Sequence, residues 1–252
     1  MPHPDDVEIL CAGTLIRLVG LGHQIHIATM TPGDKGSNEL SREEIAAVRR
    51  GEAADAAKSI GAASCECLEF ADLEICFDNP ARKKVAGLLR RIQPHMVITT
   101  PPQDYMLDHE ITSSLVRDAC FNATVRNYET EAGEAVLEAL PALYYTDAIE
   151  GRNLFGDPAR ITTLVDITAE LDGKAAALSC HASQSEWLRR QHGLDAYVEA
   201  MRTWAGVRGR QMGAGAAEAF CQHRGHPHRQ DDQLLELMMP RAVAVENGEV
   251  KL

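Results

Sequence analysis

The sequence predicts an α/β fold: a doubly wound, mostly parallel, Rossmann-like sheet flanked by helices, with a mixed C-terminal extension. Three observations carry this. Over the first 100 residues, strand-length runs alternate with longer amphipathic ones in the order β-α-β-α-β. Pro94–Thr100 is a short apolar run bounded by prolines, as a parallel strand buried on both faces requires. A chain of 252 residues is also long enough to bury a sizeable core. The expected organisation is one domain over 1–252, with an α/β half at 1–127 and a strand-and-helix extension at 128–252.

Taken in order, His3-Pro4-Asp5-Asp6-Val7-Glu8 is a polar turn leading into a helix from Glu8 to about Gly20, closed by Gly20 and Gly22. His23–Met30 alternates polar and apolar residues as a strand does. His23 and His26 within it read as surface or core positions rather than ligands. Thr31–Ser37 is turn-rich, and its Asp34 is a rim residue or a simple turn former. Ser41-Arg42-Glu43-Glu44 is a capping box opening a helix to Ile60-Gly61. A strand at Ser64–Phe70, a loop with Asp72, a helix from about Pro80 to Ile92 and the strand at Pro94–Thr100 follow. After the loop 101–110, an apolar periodicity at Ile111, Leu115, Val116 and Ala119 marks another helix.

Beyond Tyr128 the pattern changes. Glu129–Leu140 reads as a Glu-rich helical connection, and Ala142–Thr146 and Ile161–Ile167 as strands. Thr168 is expected to cap a helix through Lys174 and Leu178. A helical pattern then runs from Trp187 to Met212 through Leu194 and Tyr197, as core or subunit contact. His223-Arg224-Gly225-His226-Pro227-His228 has the look of a second metal site, but close spacing in a Gly/Pro loop favours a surface loop or lid.

A net charge of −12 argues against nucleic-acid and anionic-membrane partners. Seven cysteines, an odd number mostly in apolar settings, read as reduced thiols of a cytoplasmic protein, not a disulfide framework. No apolar run approaches the roughly 20 residues of a membrane span, and no signal peptide precedes the motif. There is no Gly-x-Gly-x-x-Gly for a dinucleotide and no Gly-x-Ser-x-Gly nucleophile elbow.

Imidazole and carboxylates bunched at a helix head suit a zinc-like divalent ion, with a spare carboxylate as general base. An acidic helix cap accounts for Asp5-Asp6 alone, yet a cap does not need the imidazole of His3. By parallel topology, the loop Pro101–Glu110 arrives at the same sheet edge. There Asp108-His109 supplies a third ligand, His109, completing a two-imidazole, one-carboxylate set with open positions for water.

Pro2-His3-Pro4-Asp5-Asp6-Val7-Glu8 resembles the (Ala/Pro)-His-Pro-Asp-Asp-x-Glu signature of the PIG-L/LmbE-type zinc deacetylases. Two further pieces are similar to the family: Arg49-Arg50-Gly51-Glu52 with Ala56 and Ile60-Gly61, and Lys174 with His181-Ala182-Ser183-Gln184. The resemblance implies His3, Asp6 and His109 as metal ligands and Asp5 as general base. Arg49 either faces the site or forms a solvated Arg-Glu pair, while His181 either packs at a helix end or reaches the site from the side. Asp34, Arg49 and Asp108 are the expected substrate-binding residues. The family's His-Pro-Asp-His loop is matched only at Asp108-His109. Met106 stands where an oxyanion-steadying histidine is usual, and Tyr105 is the adjacent hydroxyl. The family's turn ends a first strand, whereas only Met1 and Pro2 precede His3, so a start further upstream is expected.

The implied function is a zinc-dependent (or other divalent-metal) hydrolase removing an acetyl or acyl group from an N-acetylated amino sugar or similar small amide. The partner is thus a small N-acyl substrate, with a homo-oligomer possible through the C-terminal helices. The alternatives are a non-catalytic metal or ligand binder of the same fold, and an amidase acting on a larger thiol conjugate.

Overall fold

A computed structural model describes residues 1–130, 133–192 and 197–251. In chain order its elements are α1 (Asp6–Leu10), α2 (Ala12–Gly20), β1 (His26–Thr29), α3 (Arg42–Ile60), β2 (Ser64–Cys67), α4 (Asn79–Ile92), β3 (Met96–Thr99) and α5 (Leu107–Asn122). There follow β4 (Ala142–Thr146), a 3₁₀ turn at Ile149–Gly151, β5 (Thr163–Asp166), α6 (Leu171–Ser179), α7 (Ala182–His192), α8 (Tyr197–Met212), β6 (Ala217–Gln222), α9 (Gln233–Met238), β7 (Ala242–Glu246) and β8 (Glu249–Lys251). This is an α/β fold. The chain divides into two compact units, Met1–Glu74 with Leu164–Ala219 and Ile75–Thr163 with Phe220–Lys251.

In the first unit, β1 and β2 pair in parallel, from His26 opposite Ser64 to Thr29 opposite Cys67, with α3 as the crossover. The capping box forms as expected: Ser41 accepts from the Glu44 amide and Glu44 from the Ser41 amide at 2.9 Å. Gly61 ends α3 at φ 87, a left-handed conformation glycine takes without strain. The two residues before His3 run alongside β1. Met30 donates to the Met1 carbonyl at 2.9 Å and Thr31 to that of Pro2 at 3.0 Å.

The expected single helix Glu8–Gly20 is instead two helices, broken at the fully buried Cys11 with φ −149. The break has a physical reason. Glu218 of β6 presents its carboxylate to the head of α2, accepting from Gly13 N at 2.9 Å and Thr14 N at 2.7 Å. A carboxylate against the orphan amides of a helix start is favourable on both hydrogen-bond and dipole grounds. Lys174 of α6 pairs with the same carboxylate, and both side chains are 2% exposed.

Thr168 does not cap α6, which begins after Glu170. Its hydroxyl is engaged elsewhere, donating to Asp166 and accepting from the Gly215 and Ala216 amides at 3.1 Å. Of the helical pattern expected over Trp187–Met212, α7 and α8 are formed; Leu194 lies outside the described residues.

In the second unit, β3 pairs in parallel with β4, and β4 in antiparallel fashion with β6, Tyr145 facing Cys221. β7 and β8 form an antiparallel pair. The sheet is therefore mixed. Asp78 caps α4 by accepting from Ala81 N at 2.8 Å, with Pro80 in its first turn. The described part of 129–140 is not helical; residues 131 and 132 lie outside the description. Its polar groups are spent on α4 instead: Arg90 donates to Thr130, and Gln93 to the Ala135 carbonyl at 2.9 Å. A segment with little apolar surface to bury gains little from coiling.

Among the described residues no helix is long and apolar enough to cross a membrane. All seven cysteines are free thiols. Burial raises the Cys11 and Cys120 thiols strongly, so both stay protonated and inert.

Lys174→Met strips the cation from a buried carboxylate, and is expected to lower the unfolding free energy by about 3 kcal/mol. Urea denaturation reads this directly, and a loss below about 1 kcal/mol would remove the pair from the list of structural determinants.

Candidate active site

The first unit gathers the opening motif. Asp5 is the N-cap of α1 at φ 99, a left-handed conformation uncommon outside glycine. That turn buries Asp5 and Asp6 at 5% exposure each, beside the half-buried His3. The His3 amide donates to Asp6 at 2.8 Å, and its imidazole Nδ1 lies 3.4 Å from the same carboxylate. On its other side, His3 Nε2 lies 3.1 Å from Asp72 Oδ1.

Asp72 has no place in the sequence-derived site. Its signal was positional: it follows β2, which is parallel to β1, so its loop leaves the sheet at the same edge. Burial opposes the charge of Asp72, yet the His3 imidazole holds its carboxyl below the usual range. Asp34 touches this group through the backbone, accepting from the Asp72 amide at 2.8 Å while Arg42 Nε donates to it at 2.7 Å. Against its own burial, those donors keep the Asp34 carboxyl low.

Asp5 faces a different set. The Tyr197 hydroxyl, from the first turn of α8, donates to its Oδ2. Burial and then the neighbouring Asp6 charge push the Asp5 carboxyl up to about 6, against lowering contributions from His181 and Tyr197. His181 is 1% exposed and sits 3.3 Å from Glu8, the last acid of the motif. Burial disfavours the His181 cation, but the Glu8 carboxylate outweighs it and raises the imidazole above its ordinary value. Glu8 and Tyr197 had no assigned role in the sequence, where one reads as part of a helix start and the other as a core position.

Arg49 is 4% exposed and donates to the Gly36 carbonyl at 3.0 Å and to Gln184 at 2.5 Å. It lies so close beneath the 33–36 loop that a Cβ on Gly33 would fall 2.5 Å from its guanidinium. One turn along α3, Glu52 accepts from the Ser183 amide at 2.8 Å and from its hydroxyl at 2.6 Å. The two supporting motif pieces therefore bond to each other, tying α3 to the head of α7.

The second unit holds His109, fully buried in the first turn of α5. Asp104 Oδ2 lies 3.0 Å from His109 Nδ1, both side chains 1% exposed, and Thr100 donates to the His109 carbonyl at 2.9 Å. A carboxylate at Nδ1 favours the tautomer whose lone pair sits on Nε2, the arrangement that orients metal-binding histidines. Asp104, another residue without a role in the sequence reading, thus orients the imidazole. Asp108 is buried beside it, and Tyr105 is 69% exposed with its ring edge-on to His109 at 5.3 Å.

Of the second histidine cluster, His223 accepts or donates to the Tyr145 hydroxyl at 3.0 Å and packs edge-on to His228 at 4.5 Å. Burial lowers both imidazoles, and His226 is exposed. His23 and His26 are exposed, as expected.

A buried imidazole set among carboxylates at a helix head, on an α/β frame, belongs to the class of metal-dependent enzymes. Residues 1–120 match the model of the PIG-L family, described as GlcNAc-PI de-N-acetylase. A 4-oxalmesaconate hydratase of Pseudomonas putida strain KT2440 is 28% identical over 190 residues, covering 72% of this chain and 71% of that protein. A 1D-myo-inositol 2-acetamido-2-deoxy-alpha-D-glucopyranoside deacetylase of Actinosynnema mirum is 27% identical over 226 residues, covering 72% and 78%. Among solved structures, the N,N'-diacetylchitobiose deacetylase from Pyrococcus horikoshii superposes with a TM-score of 0.76 at 25% identity, covering 92% of this chain and 85% of that one.

The His181–Glu8 pair makes stability pH-dependent with a definite sign. The folded pKa of His181 is raised, so the pair's contribution is full below about 6.5 and is lost as pH climbs through the folded value. Melting temperatures of the metal-free protein between pH 6 and 9 should fall with pH more steeply in wild type than in His181→Gln; parallel curves would refute the pairing.

Proposed function

We propose that this protein is a metal-dependent amide hydrolase that removes the acetyl group from a small N-acetylated amino sugar or related amide. The observation that carries the reading is Asp5: a buried carboxylate beside the His3–Asp6 pair, oriented by Tyr197. Supporting it are the family match over residues 1–120 and the deacetylase relatives.

The donor set fits a divalent cation. His3 stands between two carboxylates, with a third beside them, and several buried anions around one imidazole are stabilised by a cation among them. His3 and Asp6 are the proposed ligands from the first unit and His109 from the second, its imidazole oriented by Asp104. When bound, the ion would act as Lewis acid toward the water and the amide carbonyl. Zinc is the proposed ion, although imidazole with carboxylate also suits iron or manganese.

Asp5 takes the proton of the attacking water as its oxygen bonds to the carbonyl carbon. It then returns that proton to the amine nitrogen as the C–N bond breaks, so one carboxyl serves as base and acid in turn. His181, whose imidazole Glu8 raises, lies close to Asp5 and favours its ionised form. Tyr105 is the proposed hydrogen-bond donor to the carbonyl oxygen, in place of the donor that Met106 cannot supply. Asp34, Arg49 and Asp108 belong to the substrate side in this reading, Arg49 by fixing the 33–36 loop.

The finer architectural reading is a doubly wound sheet within one domain over 1–252. Free cysteines throughout support a reducing, cytoplasmic setting. A homo-oligomer through α7 and α8 is part of the proposal, and sedimentation as a monomer would discard it.

One observation favours a second reaction. The hydratase relative matches as much of the chain as the deacetylase does, and hydration also needs a base to activate water. The test runs both assays: acetate release from N-acetylated amino sugars, and water addition to an unsaturated carboxylate. Release of acetate, lost with chelator and reduced at least about 10²-fold in Asp5→Ala with metal retained, supports hydrolysis. Water addition without acetate release would replace it. His109→Ala should cost stoichiometric metal by elemental analysis, and unchanged content would strike that ligand.

A further inference from the structure

We infer that Tyr197 is a positioning residue for Asp5, holding one carboxylate oxygen so that the other faces the reacting water. The inference rests on the reading of Asp5 as base, and it adds a residue 192 positions away that no motif marks.

The geometry is specific. The Tyr197 hydroxyl donates to Asp5 Oδ2, and the two residues are 6% and 5% exposed. A carboxylate has two equivalent oxygens and a broad terminal torsion. Directed donation to one of them fixes the plane of the group and assigns the other to chemistry. The tyrosine is itself held. Its ring packs with Ala175, Leu178 and Met201, against Ile9 and Leu171, so its hydroxyl is aimed by α1, α6 and α8 together. A ring needed only to fill this core would do so equally well as phenylalanine, without burying a hydroxyl. Asp5 sits in a left-handed backbone as the N-cap of α1, and its side chain makes no capping bond to that helix.

The test uses the full chain and two conservative variants. In Tyr197→Phe, kcat for acetate release should fall about tenfold or more while KM stays within about twofold and bound metal is unchanged. A raised KM at unchanged kcat would make Tyr197 a substrate contact and overturn the inference. A second readout needs no turnover. Melting temperatures of metal-free wild type, Asp5→Asn, Tyr197→Phe and the double variant form a cycle. Clear non-additivity is expected, because Tyr197→Phe removes the bond and Asp5→Asn takes away the charge that strengthens it; additive shifts would overturn the inference. If wild type releases no acetate while the cycle is non-additive, the hydrolase reading falls and the Tyr197–Asp5 bond stands.

Discussion

The left-handed backbone at Asp5 is the constraint on which the first unit's site depends. Pro2 is tied to Thr31 beside β1, and α1 begins at Asp6, so the chain must reverse its course within three residues. Holding a non-glycine residue at φ 99 costs on the order of 1–3 kcal/mol, less for aspartate than for most. The surrounding bonds offset it: Ile9 donates to the Asp5 carbonyl at 3.0 Å, the His3 amide to Asp6, and Tyr197 to Asp5. The outcome is that His3, Asp5 and Asp6 converge, where an extended strand would have sent them to alternate faces.

Around that turn the first unit is held by buried charge as much as by apolar contact. Glu218 serves the α2 amides and Lys174 together, and Glu8 meets His181; the half-buried Glu52 adds its bonds to Ser183. Buried carboxylates are costly unless every oxygen has a donor, and this requirement makes each pairing specific about position. The Arg-x-x-Glu and His-x-Ser-Gln pieces therefore act as a scaffold that fixes α3 and α7. His181 is the member that also lies close enough to Asp5 to act on its carboxyl.

In the second unit the same logic works at smaller scale. Asp104 is spent on one nitrogen of His109, and Thr100 on its carbonyl. A histidine on the first turn of a helix has its backbone fixed by the helix, and the carboxylate then fixes the ring.

Features written in local chemistry were readable from the chain alone. The capping box at Ser41 and Glu44, the strand Ala142–Thr146, α4 with its proline and the polar turn at His3 all stand where the residues placed them. Each rests on interactions within a few positions or on a hydrophobic period, and these survive whatever the rest of the chain does. The break at Cys11, the engagement of Thr168 and the partners of Asp5, His3 and His109 were decided by tertiary structure. The carboxylate that splits α1 from α2 lies 205 residues along, and the hydroxyl that holds Asp5 lies 192. Periodicity reports which face of a helix is buried, but not which polar atom arrives there. That depends on packing directions and on the need of every buried donor and acceptor for a partner, and only the folded chain supplies both.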